Sequence, residues 1–305
     1  MNTEVPLQNS HDKKTLIFAA WLSILLISDI PDILCKSILK EVPAWLFFGK
    51  IIFLALFFVL CTFWIRVRPL RPYVFVMLIF FLALALSEQV RNSEWWAGLI
   101  SESETSFFLT YLRPYLRDIG VMLVVIFSLW LVKRRRSDFF LVKGQINAPI
   151  EPVRWLGIHA GESWRKFGWI FAVIAGIGVA FPTMIAMQPA RQELIRVIPL
   201  LPAILVYAAI NAFNEEVYYR LSILSTLHQI IGKNHALLIS AGFFGLAHYL
   251  YGSPPGMIGF LMTGFLAWLL GKSVLETKGL FWAWLIHFLP DVVIFTSYAI
   301  AFVRG

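Results

Sequence analysis

The sequence predicts an all-α fold: a polytopic transmembrane helical bundle of about nine spans with a cytoplasmic N-terminus. Three observations carry that prediction. First, 59% of the 305 residues are hydrophobic and only 14% are charged, against about 45–50% and about 25% in an ordinary soluble domain. Second, the apolar residues fall into long runs separated by short polar connections. Third, the basic residues crowd alternate connections, as the positive-inside rule requires. Together these exclude a soluble globular enzyme, a disordered tail and a nucleic-acid binder with a broad basic face. The net charge of +8 is assigned to loop arginines rather than to a nucleic-acid partner. Cys35 and Cys61 sit in or beside apolar runs without CxxC spacing, so neither a disulfide framework nor a thiolate metal site follows.

The apolar segments run over about 15–34, 43–65, 72–88, 116–132, 167–187, 197–228, 235–250, 257–271 and 279–303, each near the length that crosses a bilayer. The polar start, Met1 to Lys14, leads into the first run with no small-residue cleavage site after it, so an uncleaved first helix is expected. Arg66, Arg68 and Arg71 follow the second run, Lys133 to Arg136 the fourth, Lys233 the sixth, and Lys272 and Lys278 the eighth. With nine spans these connections share one side, expected to be cytoplasmic. The opposite connection, about 89–115, carries Glu94, Glu102 and Glu104 against Arg91 and Arg113. Residues 137–166 hold Gly144, Pro149, Pro152, Gly157 and Gly161, with Trp155, Leu156, Ile158 and Trp164 giving some amphipathic character. They read as a cytoplasmic connector between an N-terminal four-helix membrane region, 1–136, and a C-terminal membrane domain, 167–305.

Ionisable groups inside hydrocarbon are costly and are functional candidates by default. Three clusters qualify, all in the C-terminal domain. Asn214, Glu215, Glu216 and Arg220 interrupt the run from Val197 to Ile231. On an α-helix Glu216 and Arg220, four apart, share a face and neutralise each other, while Glu215 is rotated away by about 100°. One carboxylate is then held and the other is free to act; the competing reading is a buried ion network that only fixes packing. His248 closes the segment Phe244 to His248. A lone histidine on an apolar helix is more often structural than catalytic, and Gly242 and Gly245 are expected to let a neighbouring backbone approach. His287 and Asp291 are again four apart, with Pro290 freeing the carbonyl of Ile286 and kinking the helix. At about 1.5 Å per residue, Glu215 and His248 lie about 20 Å, and His287 and Asp291 about 12 and 18 Å, from the cytoplasmic helix ends. Expensive groups on three helices thus share one layer.

The series Glu215-Glu216-x-x-x-Arg220, Phe244-x-x-x-His248 and His287-x-x-x-Asp291 resembles the CPBP family of intramembrane proteases, which includes CAAX-processing prenyl endopeptidases and relatives linked to bacteriocin processing and immunity. The resemblance covers about residues 165–303. It implies an intramembrane endopeptidase that cleaves membrane-associated substrates, prenylated or bacteriocin-type, with a glutamate-activated water. By that resemblance Glu215, assisted by His248, activates the water, and His287 and the last motif residue stabilise the oxyanion. Glu216 and Arg220 support Glu215. A carboxylate stripped of bulk water is a stronger base, and a donor in low dielectric stabilises a developing oxyanion strongly. Where the family pattern usually ends in asparagine, this chain has Asp291, which could be protonated, orient His287 or bind a metal. No cofactor is expected, since no HExxH spacing is present; the alternative is Zn2+ on Glu215, His248 and His287. The implied partners are a membrane-bound peptide or protein substrate and the lipid bilayer, with no nucleic acid, in a bacterial cytoplasmic (inner) membrane. Two other readings use the same residues: a non-enzymatic immunity or scaffold protein on this fold, and a proton-coupled transporter, although the buried charges lack a matching set in the first half.

Overall fold

The computed structural model describes residues 10–98, 106–252 and 254–304. Glu102 and Glu104 lie outside the described residues. Among those described there is no β-strand; two isolated antiparallel bridges, Pro149 with Ser163 and Val153 with Ile158, lie between helices. The helices are α1 (Ser10–Ile27), α2 (Ile30–Leu39), α3 (Ala44–Phe63), α4 (Arg71–Arg91), α5 (Glu94–Gly98), α6 (Phe107–Lys133), α7 (Trp164–Met187), α8 (Arg191–Val197), α9 (Leu201–Glu216), α10 (Ser222–Ile231), α11 (Lys233–Tyr251), α12 (Met257–Thr277) and α13 (Phe281–Arg304). The chain is therefore an all-α polytopic membrane protein. Among the described residues, seven helical stretches are long and apolar enough to cross a bilayer, or eight if α1 and α2 form one broken span. The seventh apolar segment, about 235–250, folds as α11, a helix of 19 residues outside that set.

Two stretches differ from the sequence expectation. The first apolar run is not one helix: α1 and α2 meet at 45°. Pro31 occupies the first turn of α2, and a proline there starts a helix well but disfavours continuation from the preceding residues. The acidic connection is shorter than expected, because α5 and the first turns of α6 occupy part of it.

The chain forms two compact units. The first comprises residues 1–82, 127–139 and 219–272, and the second 83–126, 140–218 and 273–305. In the first unit α1 packs on α2, α3, α10 and α11. Leu16, Ala20, Ser23, Ile24 and Ile27 recur at helical spacing and are buried, while Phe18, Leu22, Leu25 and Leu26 are exposed. All these positions are compatible with lipid, so the inner face is selected by packing rather than by polarity. Lys50 of α3 is buried and pairs with Asp32, and reaches Asp29 at 3.8 Å. Replacing Lys50 with Met would leave two carboxylates without their cation. We expect a loss of about 3 kcal/mol, the low end for a buried pair that loses one partner because both carboxylates are partly exposed, read as a lower thermal unfolding temperature in detergent. Adding Asp29→Asn and Asp32→Asn should restore most of it; an unchanged unfolding temperature for the single variant would refute the pairing.

In the second unit α13 packs along α7, α8 and α9. Gly168 of α7 makes room for Trp282, since a Cβ at that position would lie 2.3 Å from the indole. An aromatic core of Phe107, Tyr115, Tyr207 and Phe295 joins α6, α9 and α13, together with Val197, Ile204, Ala208, Ala299 and Ile300. Tyr207 also donates its hydroxyl to the Phe108 carbonyl at 2.6 Å. Residues 142–164, the greater part of the expected 137–166 connector, are docked against the turn between α12 and α13. Gln145 N–H donates to the Thr277 carbonyl at 2.7 Å, and Leu280 N–H to the Val142 carbonyl at 2.9 Å. Trp282 Nε1 donates to the Ile146 carbonyl at 3.0 Å, and Trp164 Nε1 to Glu276 Oε2 at 2.9 Å. Gly144 has φ +77° and abuts Gly279 so closely that a Cβ on either would meet backbone within 2.7 Å, which requires glycine at both.

Candidate active site

The second unit gathers four of the residues singled out by the sequence. On α9 the i,i+4 series Tyr207, Asn211, Glu215 forms one stripe, and Ile204, Ala208, Ala212, Glu216 forms the adjacent one. On α13 the corresponding series is Ala283, His287, Asp291, Phe295, Ala299, all buried. Where these stripes face each other, the apolar core gives way to a polar cluster. α13 runs unbroken from Phe281 to Arg304 through Pro290, so the expected kink does not interrupt the helix.

His287 is the centre of the cluster. Its Nδ1 lies 2.9 Å from Glu216 Oε1, and its Nε2 lies 3.4 Å from Glu215 Oε2 and 3.8 Å from Asp291 Oδ1. The two glutamates differ in access: the Glu216 side chain is 0% exposed, and that of Glu215 is 26% exposed. Glu216 is thus a buried counter-charge beneath the imidazole, and Glu215 is the carboxylate that water can reach. Asn211 adds a connection that the motif does not contain. Its Nδ2 donates to Glu215 Oε1 at 3.2 Å and to Asp291 Oδ2 at 3.1 Å. Its Oδ1 accepts from the Tyr115 hydroxyl at 3.1 Å.

Sequence reasoning missed Asn211 and Tyr115. An amide carries no formal charge, and so it does not stand out in an apolar run as a carboxylate does. Its position four residues before Glu215 was the available signal. Tyr115 falls in the stretch read as an acidic connection; it belongs to α6, whose Phe107, Tyr111 and Tyr115 share one face.

The π turn is a second feature that helical periodicity could not reveal. Val217–Leu221, which follows the glutamate pair directly, is π-helical. The α-helical spacing expected between Glu216 and Arg220 is corrected accordingly, because i→i+5 bonding changes the angle between side chains four apart. Such turns occur mostly as single insertions within α-helices, often at functional sites.

Arg220 and His248 belong to the first unit. Arg220 is fully buried, with its guanidinium 4.2 Å from the Phe244 ring centroid, a cation–π contact. His248 Nδ1 is 2.9 Å from the Phe244 carbonyl, and its ring lies 4.5 Å from that of Phe244. Gly245 does serve close approach, since a Cβ there would lie 2.8 Å from the Phe260 carbonyl oxygen, but Gly242 has nothing within 4 Å. Among the described residues, no group of three or more His, Cys, Asp and Glu side chains is arranged to hold a metal ion.

Residues 197–293 match the family described as Rce1-like, type II CAAX prenyl endopeptidase. The matched segment contains all seven motif residues, from Glu215 to Asp291. The match supports the CAAX-protease family for this segment and CAAX-type intramembrane protease activity in general. No curated protein and no solved structure matches the chain at a significant level.

Proposed function

We propose that the chain is an intramembrane endopeptidase in which Glu215 activates a water against a peptide bond of a membrane-anchored substrate. The observation that carries this reading is the contrast within the glutamate pair. One is sealed beneath His287, and the other is partly open with an oxygen turned to the same ring. Glu215 Oε2 takes a proton from water, and the hydroxide oxygen bonds to the peptide carbonyl carbon. With both nitrogens of His287 protonated, Nδ1 donates to Glu216 and Nε2 donates to the carbonyl oxygen as it becomes an oxyanion. The C–N bond then breaks, and the departing amine takes the proton held by Glu215. The products are an amine and a carboxylic acid, which gives its remaining proton to the amine or to solvent, and no step runs through a metal. His248 keeps the assisting role that the family resemblance implies. The basic connections favour a cytoplasmic N-terminus, and a bacterial inner membrane fits the bacteriocin-processing branch of that resemblance.

The test is hydrolysis in H2(18)O. The purified chain, in phosphatidylethanolamine–phosphatidylglycerol vesicles, is given a farnesylated CAAX peptide and a membrane-anchored peptide set. Expected are new fragments whose C-terminal carboxylate carries one (18)O atom. Failure to cleave any of these peptides, or cleavage without label, would overturn the proposal. Uptake of a proton or solute without peptide cleavage would favour the transporter reading instead.

A further inference from the structure

We propose that Asn211, anchored by Tyr115, is a positioning residue that sets the Glu215 and Asp291 carboxylates relative to each other and decides which oxygen of Glu215 is free for water. The inference rests on the reading of Glu215 as the water-activating base.

The hydrogen bonds fix the amide in one orientation. A carboxamide offers one oxygen acceptor and two N–H donors. Tyr115 donates to Oδ1, and the two amide hydrogens go to Glu215 Oε1 and Asp291 Oδ2. A flipped amide would set its oxygen against two carboxylates and its donors against a hydroxyl. The Tyr115 ring is itself held, buried and packed at 5.1 Å from the Tyr207 ring and 5.7 Å from that of Phe295. The anchor therefore reaches Asn211 from α6, while the two carboxylates come from α9 and α13. Glu215 Oε1 is occupied by Asn211, which leaves Oε2, the oxygen near His287 Nε2, to take the proton. Asp291 is treated in the same way, with Oδ2 on the amide and Oδ1 turned toward His287. Asn211 touches neither His287 nor Glu216 in these contacts, so it acts through the carboxylates.

The experiment is a double-mutant cycle on the purified chain in vesicles, with kcat and KM separated on the farnesylated CAAX peptide. Loss of registration by about 1 Å costs about 100-fold in rate. Asn211→Ala is therefore expected to lower kcat about 100-fold with KM within about twofold. Asn211→Asp, which keeps the shape and the acceptor for Tyr115 but loses both donors, should fall as far. Tyr115→Phe should cost about tenfold alone and nothing further in the Asn211→Ala background, because its effect passes through the amide. Equal costs of Tyr115→Phe in both backgrounds, or Asn211 variants with unchanged kcat per folded molecule, would overturn the proposal.

A second readout needs no turnover. Infrared carboxylate bands that disappear in Glu215→Gln and Asp291→Asn should shift in Asn211→Ala, and unshifted bands would also overturn it. An active Glu215→Gln variant would instead sink the base assignment. An inactive Glu215→Gln variant beside fully active Asn211 variants would sink only the role of Asn211.

Discussion

Glu215→Gln should lower kcat by about 10²–10⁴-fold, the range that a positioned general base supplies, with little change in KM. The substitution is nearly isosteric and keeps an oxygen that can accept from Asn211. The folded yield and unfolding temperature in detergent should therefore stay close to those of the parent. What is lost is the ability to take a proton from water. Glu216→Gln should behave differently, because its carboxylate is sealed from water and sits 2.9 Å from His287 Nδ1. It lacks access to the nucleophile, and its contribution is the orientation and charge of the ring. A cleavage assay that found Glu216→Gln inactive and Glu215→Gln active would reverse the two roles.

His287→Ala should lower kcat by about 10²–10³-fold, the cost of removing one preorganised oxyanion donor. The ring is placed by two helices at once: α13 carries it, and Glu216 at the end of α9 fixes its Nδ1 side. The orientation of Nε2 is therefore set before substrate arrives, which is the condition for a large electrostatic contribution. His287→Gln offers an amide donor at a different reach and should recover only a small part of the activity. Steady-state kinetics on protein shown to be folded by thermal unfolding separates these outcomes. Retention of more than about one tenth of parental kcat in His287→Ala would remove the ring from the reaction.

The charged members of the site were legible because hydrocarbon makes them expensive. Glu215, Glu216, His287 and Asp291 stood out against runs of Leu, Ile and Phe, and the i,i+4 spacing of His287 and Asp291 placed them on one face of what became α13. The helices were legible for the same reason, since an apolar run long enough to span a bilayer must satisfy its own backbone. The break after α1 was signalled by Pro31 but was overridden by the surrounding apolar residues. The π turn at Val217–Leu221 left no mark in composition or periodicity. Asn211 and Tyr115 escaped because neither is charged, and because α6 begins earlier than the acidic stretch implied. Their role comes from three helices meeting, which spacing along one helix does not report.

The stitching of residues 142–164 onto the turn before α13 bears on how this protein can be handled in the laboratory. Trp282, pinned by the Ile146 carbonyl, precedes His287 by five residues, about 7.5 Å of helix. A fluorescent reporter, an epitope tag or a deletion placed in 142–164 would pull on the lever that carries the imidazole, although that stretch resembles a spare linker in the sequence.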